Sequence, residues 1–183
     1  TTKTETSKFE ESKFLKPGVH EVKVTAITAV ENEGKAPYLN LTFENTMGQT
    51  AEDKLYMTDN ALKYSELALG DIKAALGVTT EVEGKTLTEF AKNLTKVIGN
   101  KTFRHRFTGE EIAGKLDTTT GKQKNNWFKA KMGRRYSCEA VGTDPSRLKP
   151  LDKTNQYDWK TLPTADTLPA INGQATIDDS LPF

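Results

Sequence analysis

The sequence predicts a mainly β domain with a helical insert and an irregular C-terminal tail. Three observations carry this prediction: apolar and polar residues alternate over 38–45, apolar residues recur at helical spacing after Asp59, and alternation returns at 101–108. After Gly142 the residues show no period and are rich in Pro, Thr, Asp, Asn and Gly. The expected order is therefore strands, helices, strands and tail.

The first three strands are indicated by turn signals and by alternation. A Pro-Gly pair precedes a β-branched run that begins near residue 19. The stretch "YLNLTFEN" at 38–45 places its Leu, Leu and Phe on one face, and "AEDKLYM" follows a Met-Gly turn as the third strand. This pattern leaves Tyr38 and Tyr56 facing outward.

Two helices are predicted in the insert. Asp59 or Asn60 is a suitable N-cap for the first helix, Gly77 a stop, and Gly70 an expected interruption. The sequence "TLTE" at 86–89 has the form of a capping box and opens the second helix.

The last two strands, 101–108 and 127–132, bring cations together. The favoured register buries Phe103, Phe107, Phe128 and Met132, with His105 among them. A slip of one residue would instead bury four cations, at several kcal/mol each. This register turns one set of side chains toward solvent: Arg104, Arg106, Trp127, Lys129 and Lys131.

Charge is segregated along the chain. Residues 96–135 hold eleven Lys or Arg and only three acids, whereas residues 151–183 hold two Lys and five Asp. A basic block of this kind points to a polyanionic ligand. Surface lysines also serve solubility, which is the alternative interpretation of the same residues.

Cations around an exposed aromatic ring are typical of proteins that bind single-stranded nucleic acid, because the cations contact phosphates while the ring stacks on bases. The outward set is therefore the predicted binding face, and neighbouring residues extend it. These additional candidates are Tyr38, Tyr56, Lys122, Lys124 and Arg134, two of which lie on the polar loop 114–126.

Three strands, a helical insert and two further strands form the order of a five-stranded OB-type barrel. An unrelated α+β sandwich is the competing fold. The predicted domains are a flexible arm at 1–13, an OB-fold domain at 14–142 that binds single strands, and a disordered linker with an acidic tip at 143–183.

The sequence finishes with "IDDSLPF", two aspartates followed by Leu-Pro-Phe. This segment resembles the acidic tip of the bacterial-type single-stranded DNA-binding proteins, with matches at Asp178, Asp179, Leu181, Pro182 and Phe183. Ser180 departs from the family pattern, which more often continues acidic. The helical insert and the N-terminal arm look more like the diverged versions that bacteriophages encode.

The resemblance implies an OB-fold body that coats single-stranded DNA and a tip that recruits host or phage replication, recombination or repair proteins. It leaves a monomer and a homodimer equally open. We expect a non-catalytic protein with no cofactor and no metal, in the cytoplasm of a bacterial host if phage-encoded. The apolar runs fall far short of the ~20 residues that span a bilayer, and no leader is evident.

Two other functions stay open. Glu21-Val22-Lys23 and Glu52-Asp53-Lys54 fit the E-x-K element of some metal-dependent nucleases, so an accessory nuclease or junction-processing enzyme of a phage recombination module is one alternative. The other alternative is an OB module that binds RNA or acts as an adaptor. A single cysteine, Cys138, excludes a disulfide framework within the chain.

Overall fold

The computed structural model describes residues 12–133 and 135–164, which form a mixed sheet of seven strands and two helices. The elements are β1 (Gly18–Val30), β2 (Tyr38–Asn45), β3 (Thr50–Tyr56), α1 (Asp59–Ala75), α2 (Leu87–Ile98), β4 (Thr102–Ile112), β5 (Trp127–Lys131), β6 (Cys138–Glu139) and β7 (Trp159–Lys160). The strands lie in the order β3-β2-β1-β4-β5, and β6 and β7 also pair with β4. The predicted mainly β class and the helical insert between the third and fourth strands are confirmed.

The antiparallel meander β1-β2-β3 supplies one wall of the core. Leu39, Leu41 and Phe43 are fully buried, as the alternation along β2 predicts. The side chain of Asn45 closes the β2–β3 turn, because its Oδ1 accepts hydrogen bonds from the backbone N–H groups of Met47 and Gln49. This wall is fixed by local pattern and turn chemistry together.

Both predicted helices are present, with two differences from the prediction. The N-cap of α1 is Thr58 rather than Asp59 or Asn60, because Asp59 is already the first helical residue. α1 continues through Gly70, so the predicted interruption is wrong; Leu69 and Ile72 are buried on either side of it and hold the helix against the sheet. Gly77, at a positive φ of 65°, follows the end of α1. The N-cap half of the predicted capping box is present at α2, since Thr86 Oγ1 accepts from the Glu89 N–H; the Glu89 carboxylate accepts from the N–H of Lys85, one residue before the N-cap.

β4 is the central strand of the fold. Its first half, which contains Phe103 and Phe107, lies between β1 and β6, and its second half lies between β5 and β7. Phe103, His105 and Phe107 are buried side by side, as predicted. Phe128 and Met132 on the neighbouring segment are only partly buried.

The sheet does not close into a barrel through its backbone ladder. Its two edge strands, β3 and β5, are instead joined by one side chain, that of Asp53. This carboxylate accepts the Met132 N–H at 2.7 Å and the Lys131 ammonium at 2.6 Å. The buried Asp53 carboxylate therefore connects β3 to β5 and the residue after it, in place of the backbone hydrogen bonds that would pair these two strands in a closed sheet.

The folded part extends beyond residue 142, where the sequence places the start of a disordered linker. Residues 143–164 follow β4 in the same direction: Trp159 pairs with Gly109 in a parallel ladder, and the Leu162 N–H donates to Glu111. Leu148 is buried as well. These contacts correct the predicted boundary for residues 143–164, while residues 165–183 lie outside the described part.

The predicted N-terminal arm also ends earlier than expected. Lys13 accepts a hydrogen bond from the Thr50 N–H, and the Leu15 N–H donates to Thr50 O, so this segment adds to the edge of β3. Residues 1–11 lie outside the described residues. Within the described ranges, neither helix has the length and apolar character to cross a bilayer.

Candidate nucleic-acid interface

The two arginines of the predicted binding face are engaged by acids. Arg104 lies 3.3 Å from Glu139 and 3.5 Å from Glu21, and it also donates to Thr143 O. Its charge therefore serves the packing of β6 and the following loop. The sequence predicts an unpaired cation at this position; the structure instead pairs Arg104 with two acids, although its side chain still lines one of the clefts described below.

Glu139 is the buried anchor of this cluster. Its carboxylate accepts from the Ser146 hydroxyl, the Arg147 N–H and Arg104. Burial raises the pKa of Glu139, but these hydrogen bonds and the charge of Arg104 outweigh burial and hold the pKa below its usual range. An ionised Glu139 thus fixes Arg104 from the inner side.

Arg106 is held in the same way by the C-terminal segment. It binds both oxygens of Asp158 and donates to Lys149 O and Pro150 O. The hydrogen bond from Arg106 lowers the pKa of Asp158. Asp158 lies in the stretch that the sequence assigns to a linker, which explains why this pairing is not apparent from the sequence.

The remaining members of the face have different surroundings. Lys131 is paired with Asp53, as described above, and Lys129 is half-buried opposite Glu110 in the β4–β5 register. Trp127, at the start of β5, is 45% exposed. Of the predicted set, Arg104, Trp127 and Lys129 lie along open clefts, and Arg104 is ion-paired there.

Two clefts meet at Trp127. The first, of about 1130 Å³, lies between segment 12–19, the start of β5 and segment 146–159. The second, of about 740 Å³, lies between residues 50–52, the end of β4 and the hairpin 114–125. We call them the C-terminal cleft and the hairpin cleft; Phe14, Leu15 and Trp127 line both.

The charges along the clefts are mostly positive. Lys16, Lys153 and the ion-paired Arg104 line the C-terminal cleft, and the hairpin cleft is lined by Lys115, Lys124 and Lys129. Among the described residues, Glu52 is the one acid that lines either cleft. The clefts therefore offer apolar and aromatic walls with a cationic rim, which suits unpaired bases carrying phosphates.

The polar loop 114–126 forms a small hairpin. Leu116 pairs with Gln123, and the Lys124 N–H donates to Lys115 O at 3.0 Å. A Cβ at Gly114 would lie 1.9 Å from Lys124 O, so glycine is required for this close approach. The hairpin projects Lys115 and Lys124 toward the cleft, whereas Lys122 lies near its turn and outside both cleft linings.

Other predicted site residues are not brought to the clefts. Tyr38 and Tyr56 contact each other with ring centroids 5.5 Å apart. They lie at the far end of β3 from Thr50, the residue of that strand that begins the wall of the hairpin cleft. Arg134 lies outside the described residues. The tip, Asp178, Asp179, Leu181, Pro182 and Phe183, lies outside them as well.

Three residues that sequence reasoning missed also line the clefts: Phe14, Lys16 and Lys153. Phe14 is 67% exposed although Leu15 beside it is buried. Successive side chains that alternate between solvent and core are typical of an extended segment at the edge of a sheet. Trp159 was missed too, but it is structural, since its ring stacks on Phe128 at 3.9 Å. A Phe-Leu pair just before a Pro-Gly turn was the available signal for Phe14.

His105 is a buried polar residue of the core. The Gly133 N–H donates to its Nε2 at 3.0 Å, so the neutral ring carries its proton on Nδ1 and donates to Cys138 Sγ at 2.9 Å. Burial lowers the pKa of His105 to about 3 and raises the pKa of the Cys138 thiol. Both groups are neutral at physiological pH and brace the core.

The two E-x-K elements are separated in space. Glu21 on β1 faces Arg104, and both oxygens of Asp53 on β3 are used in joining β5. In the part of the chain that the structure describes, no three His, Cys, Asp or Glu side chains are grouped as metal ligands would be. Glu52 is exposed at the hairpin cleft.

Comparison with known proteins identifies no relative from which a function could be inferred. No protein-family model matches the sequence, and no curated protein matches it significantly.

Proposed function

We propose that this protein binds single-stranded DNA without catalysis and with little sequence preference, using the two clefts that meet at Trp127. The observation that carries this proposal is the position of Trp127, half exposed between clefts rimmed by five lysines and one acid. A ring open to solvent can stack on any base, at ~1–3 kcal/mol per base, and lysines on both sides can follow the phosphates.

We further propose that the sheet is a diverged OB-type barrel. Five main strands in OB order, with the helices inserted between β3 and β4, support this proposal. The Asp53 link between β3 and β5 supports it too, because those strands are the pair that a closed barrel would bring together. The two clefts then lie beside the junction of β3 and β5, next to β5 and the loop before it.

A binding titration tests the proposed function. Fluorescently labelled oligo-thymidine, a duplex of equal length and single-stranded RNA of equal length are each titrated with protein at two salt concentrations. The proposal expects the DNA single strand to bind most tightly, with log affinity falling by ~0.7 per phosphate contact for each unit of log salt. Equal or tighter binding of duplex would contradict it, and tighter binding of RNA would favour an RNA module.

Variants of two exposed aromatics locate the site. Trp127→Ala is expected to weaken single-strand binding by about 5- to 150-fold, the loss of one stacked base. Tyr64→Ala on α1 is the matched control, because Tyr64 is 67% exposed and lines neither cleft. Magnesium is included in one arm; cleavage of the DNA that is lost in Glu52→Ala would favour the nuclease alternative.

The segment 178–183 carries a second part of the proposal. We propose that its Asp-Asp-Ser-Leu-Pro-Phe residues dock on replication, recombination or repair proteins, as the resemblance to single-stranded DNA-binding proteins of bacteria and their phages implies. The ring of Phe183 suits an apolar pocket, and the carboxylates of Asp178 and Asp179 suit basic side chains at the rim of that pocket. Such a protein would work in the bacterial cytoplasm, as a monomer or a homodimer.

Removing residues 178–183 tests this part separately. DNA affinity should stay within about twofold of the full chain, because the clefts remain complete. Binding of the full chain, but not the shortened one, to a replication or repair protein of the host should be seen in a pull-down with purified components. Equal loss of DNA binding and partner binding would mean that the segment belongs to the folded body.

A further inference from the structure

Phe14 and Trp127 face each other where the two clefts meet. Their ring centroids are 6.1 Å apart and their planes are inclined by 33°. Both rings are substantially exposed, Phe14 at 67% and Trp127 at 45%. The pair is therefore an open wedge of two rings in contact with solvent.

Each ring is held by ordered backbone. Phe14 lies between Lys13 and Leu15, which exchange hydrogen bonds with Thr50, and the Leu15 side chain is buried. Trp127 begins β5 and is paired with Ile112 of β4. The two rings thus come from opposite edges of the sheet, and their separation is set by strand positions rather than by flexible loops.

We propose that Phe14 and Trp127 clamp one unpaired base of single-stranded DNA between their rings. The strand then passes from the C-terminal cleft, with Lys16 and Lys153, into the hairpin cleft, with Lys115, Lys124 and Lys129. This inference rests on the proposed function and adds to it a second stacking residue and a path for the strand.

The spacing fits a base with little movement. A planar base between two rings needs a centroid separation of about 7 Å, twice the contact distance of ~3.5 Å between stacked carbons. The present 6.1 Å falls short by about 1 Å. The clamp therefore requires the exposed Phe14 side chain to turn about χ1, so that its ring becomes parallel to Trp127 and its centre moves about 1 Å farther away.

The other close aromatic pairs lack these properties. Phe128 and Trp159 are already stacked at 3.9 Å and 21°, and Lys153 covers the Trp159 ring at 4.8 Å. Tyr38 and Tyr56 touch at 57° and line neither cleft. Among the described residues, the Phe14–Trp127 pair combines two exposed rings with cations on both sides.

A double-mutant cycle on the full chain tests the clamp. The affinity of a short labelled oligo-thymidine is measured for wild type, Phe14→Ala, Trp127→Ala and the double variant, with Tyr64→Ala as control. Each single variant is expected to lose about 5- to 150-fold. The double variant should lose clearly less than the product of the two, because both rings hold the same base. Phe14→Tyr, which keeps the ring, should bind like wild type.

The outcomes separate the clamp from the proposed function. If wild type binds single-stranded DNA and Phe14→Ala binds equally well, the clamp is overturned while the function stands. Single losses that multiply to within about twofold also overturn it, since the rings would then act on separate bases. If wild type prefers duplex or RNA, the proposed function and the clamp both fail. Circular dichroism of each variant shows whether it has folded.

Discussion

Arg106 and Asp158 form a bidentate ion pair although they are 52 residues apart in the sequence. Arg106 Nη1 lies 2.9 Å from Asp158 Oδ1, and Nη2 donates to Oδ2. The pair fastens segment 143–164 to the middle of β4. The sequence places Arg106 among phosphate-binding cations, whereas the structure gives it an internal partner. Its main role is therefore in stability.

Arg106→Lys is expected to destabilise the protein while keeping the charge. Lysine cannot match the two carboxylate oxygens and two carbonyls that the guanidinium contacts, so the free energy of unfolding should fall by about 2 kcal/mol. Urea unfolding measures the loss, and proteolysis within 143–164 should accelerate. Arg147→Lys, an exposed arginine of the same segment, is the control. If Arg106→Lys left the stability unchanged and weakened DNA binding, Arg106 would be a DNA-binding residue and not a structural one.

His105 predicts a loss of stability in mild acid. Its pKa is about 3 in the folded protein against an ordinary value of 6.5. Between these values the unfolded chain binds the proton and the folded chain does not, so stability falls as the pH drops, by up to about 1.4 kcal/mol per pH unit. This contribution is complete above pH 6.5.

The measurement is the free energy of unfolding between about pH 5 and 6.5, above the range in which most carboxylates titrate. His105→Phe removes the titrating group, so its stability should depend less on pH there, whatever its absolute stability. His20→Gln, at a partly buried histidine near Lys16 O, is the matched control. A wild-type slope that persists in His105→Phe would assign the acid sensitivity to another group.

Local patterns in the sequence predict much of this fold. The alternation in β2, the Thr86 N-cap of α2 and the inward phenylalanines of β4 each depend on neighbours within a few residues, and all three are found in the structure. Gly70 misled because its helix-weakening tendency costs only about 1 kcal/mol, less than the burial of Leu69 and Ile72 contributes.

The interface was harder to predict because its parts are distant in sequence. Phe14 meets Trp127, Arg106 meets Asp158 and Lys131 meets Asp53 across separations that no period reveals. A strand pattern tells which side chains share a face, but not which acids from elsewhere will neutralise that face. Three of the predicted residues, Arg104, Trp127 and Lys129, lie along the clefts, but the sequence does not reveal the acids that pair with Arg104, Arg106 and Lys131.

Gly109 and Gly70 should respond oppositely to alanine. A Cβ at Gly109 would lie 2.6 Å from the Trp159 ring, which is itself stacked on Phe128, so Gly109→Ala should displace β7 and destabilise the fold by about 1–3 kcal/mol. A Cβ at Gly70 meets nothing within 4 Å, so Gly70→Ala should stabilise α1 by about 0.5–1 kcal/mol. Thermal unfolding of both variants checks this; a tolerated Gly109→Ala would show that Trp159 is loosely held.

Lys124 and Lys122 lie two residues apart on the hairpin and should differ in their effect on DNA binding. Lys124 lines the hairpin cleft and Lys122 does not, although the sequence proposes both as DNA-binding residues. Lys124→Ala should reduce the slope of log affinity against log salt by ~0.7, the loss of one phosphate contact on a single strand. Lys122→Ala should leave that slope nearly unchanged. Titrations with oligo-thymidine over a series of salt concentrations measure both slopes. Equal reductions would mean that the hairpin turn itself lies along the strand, and no reduction in either would move the path of the DNA away from the hairpin.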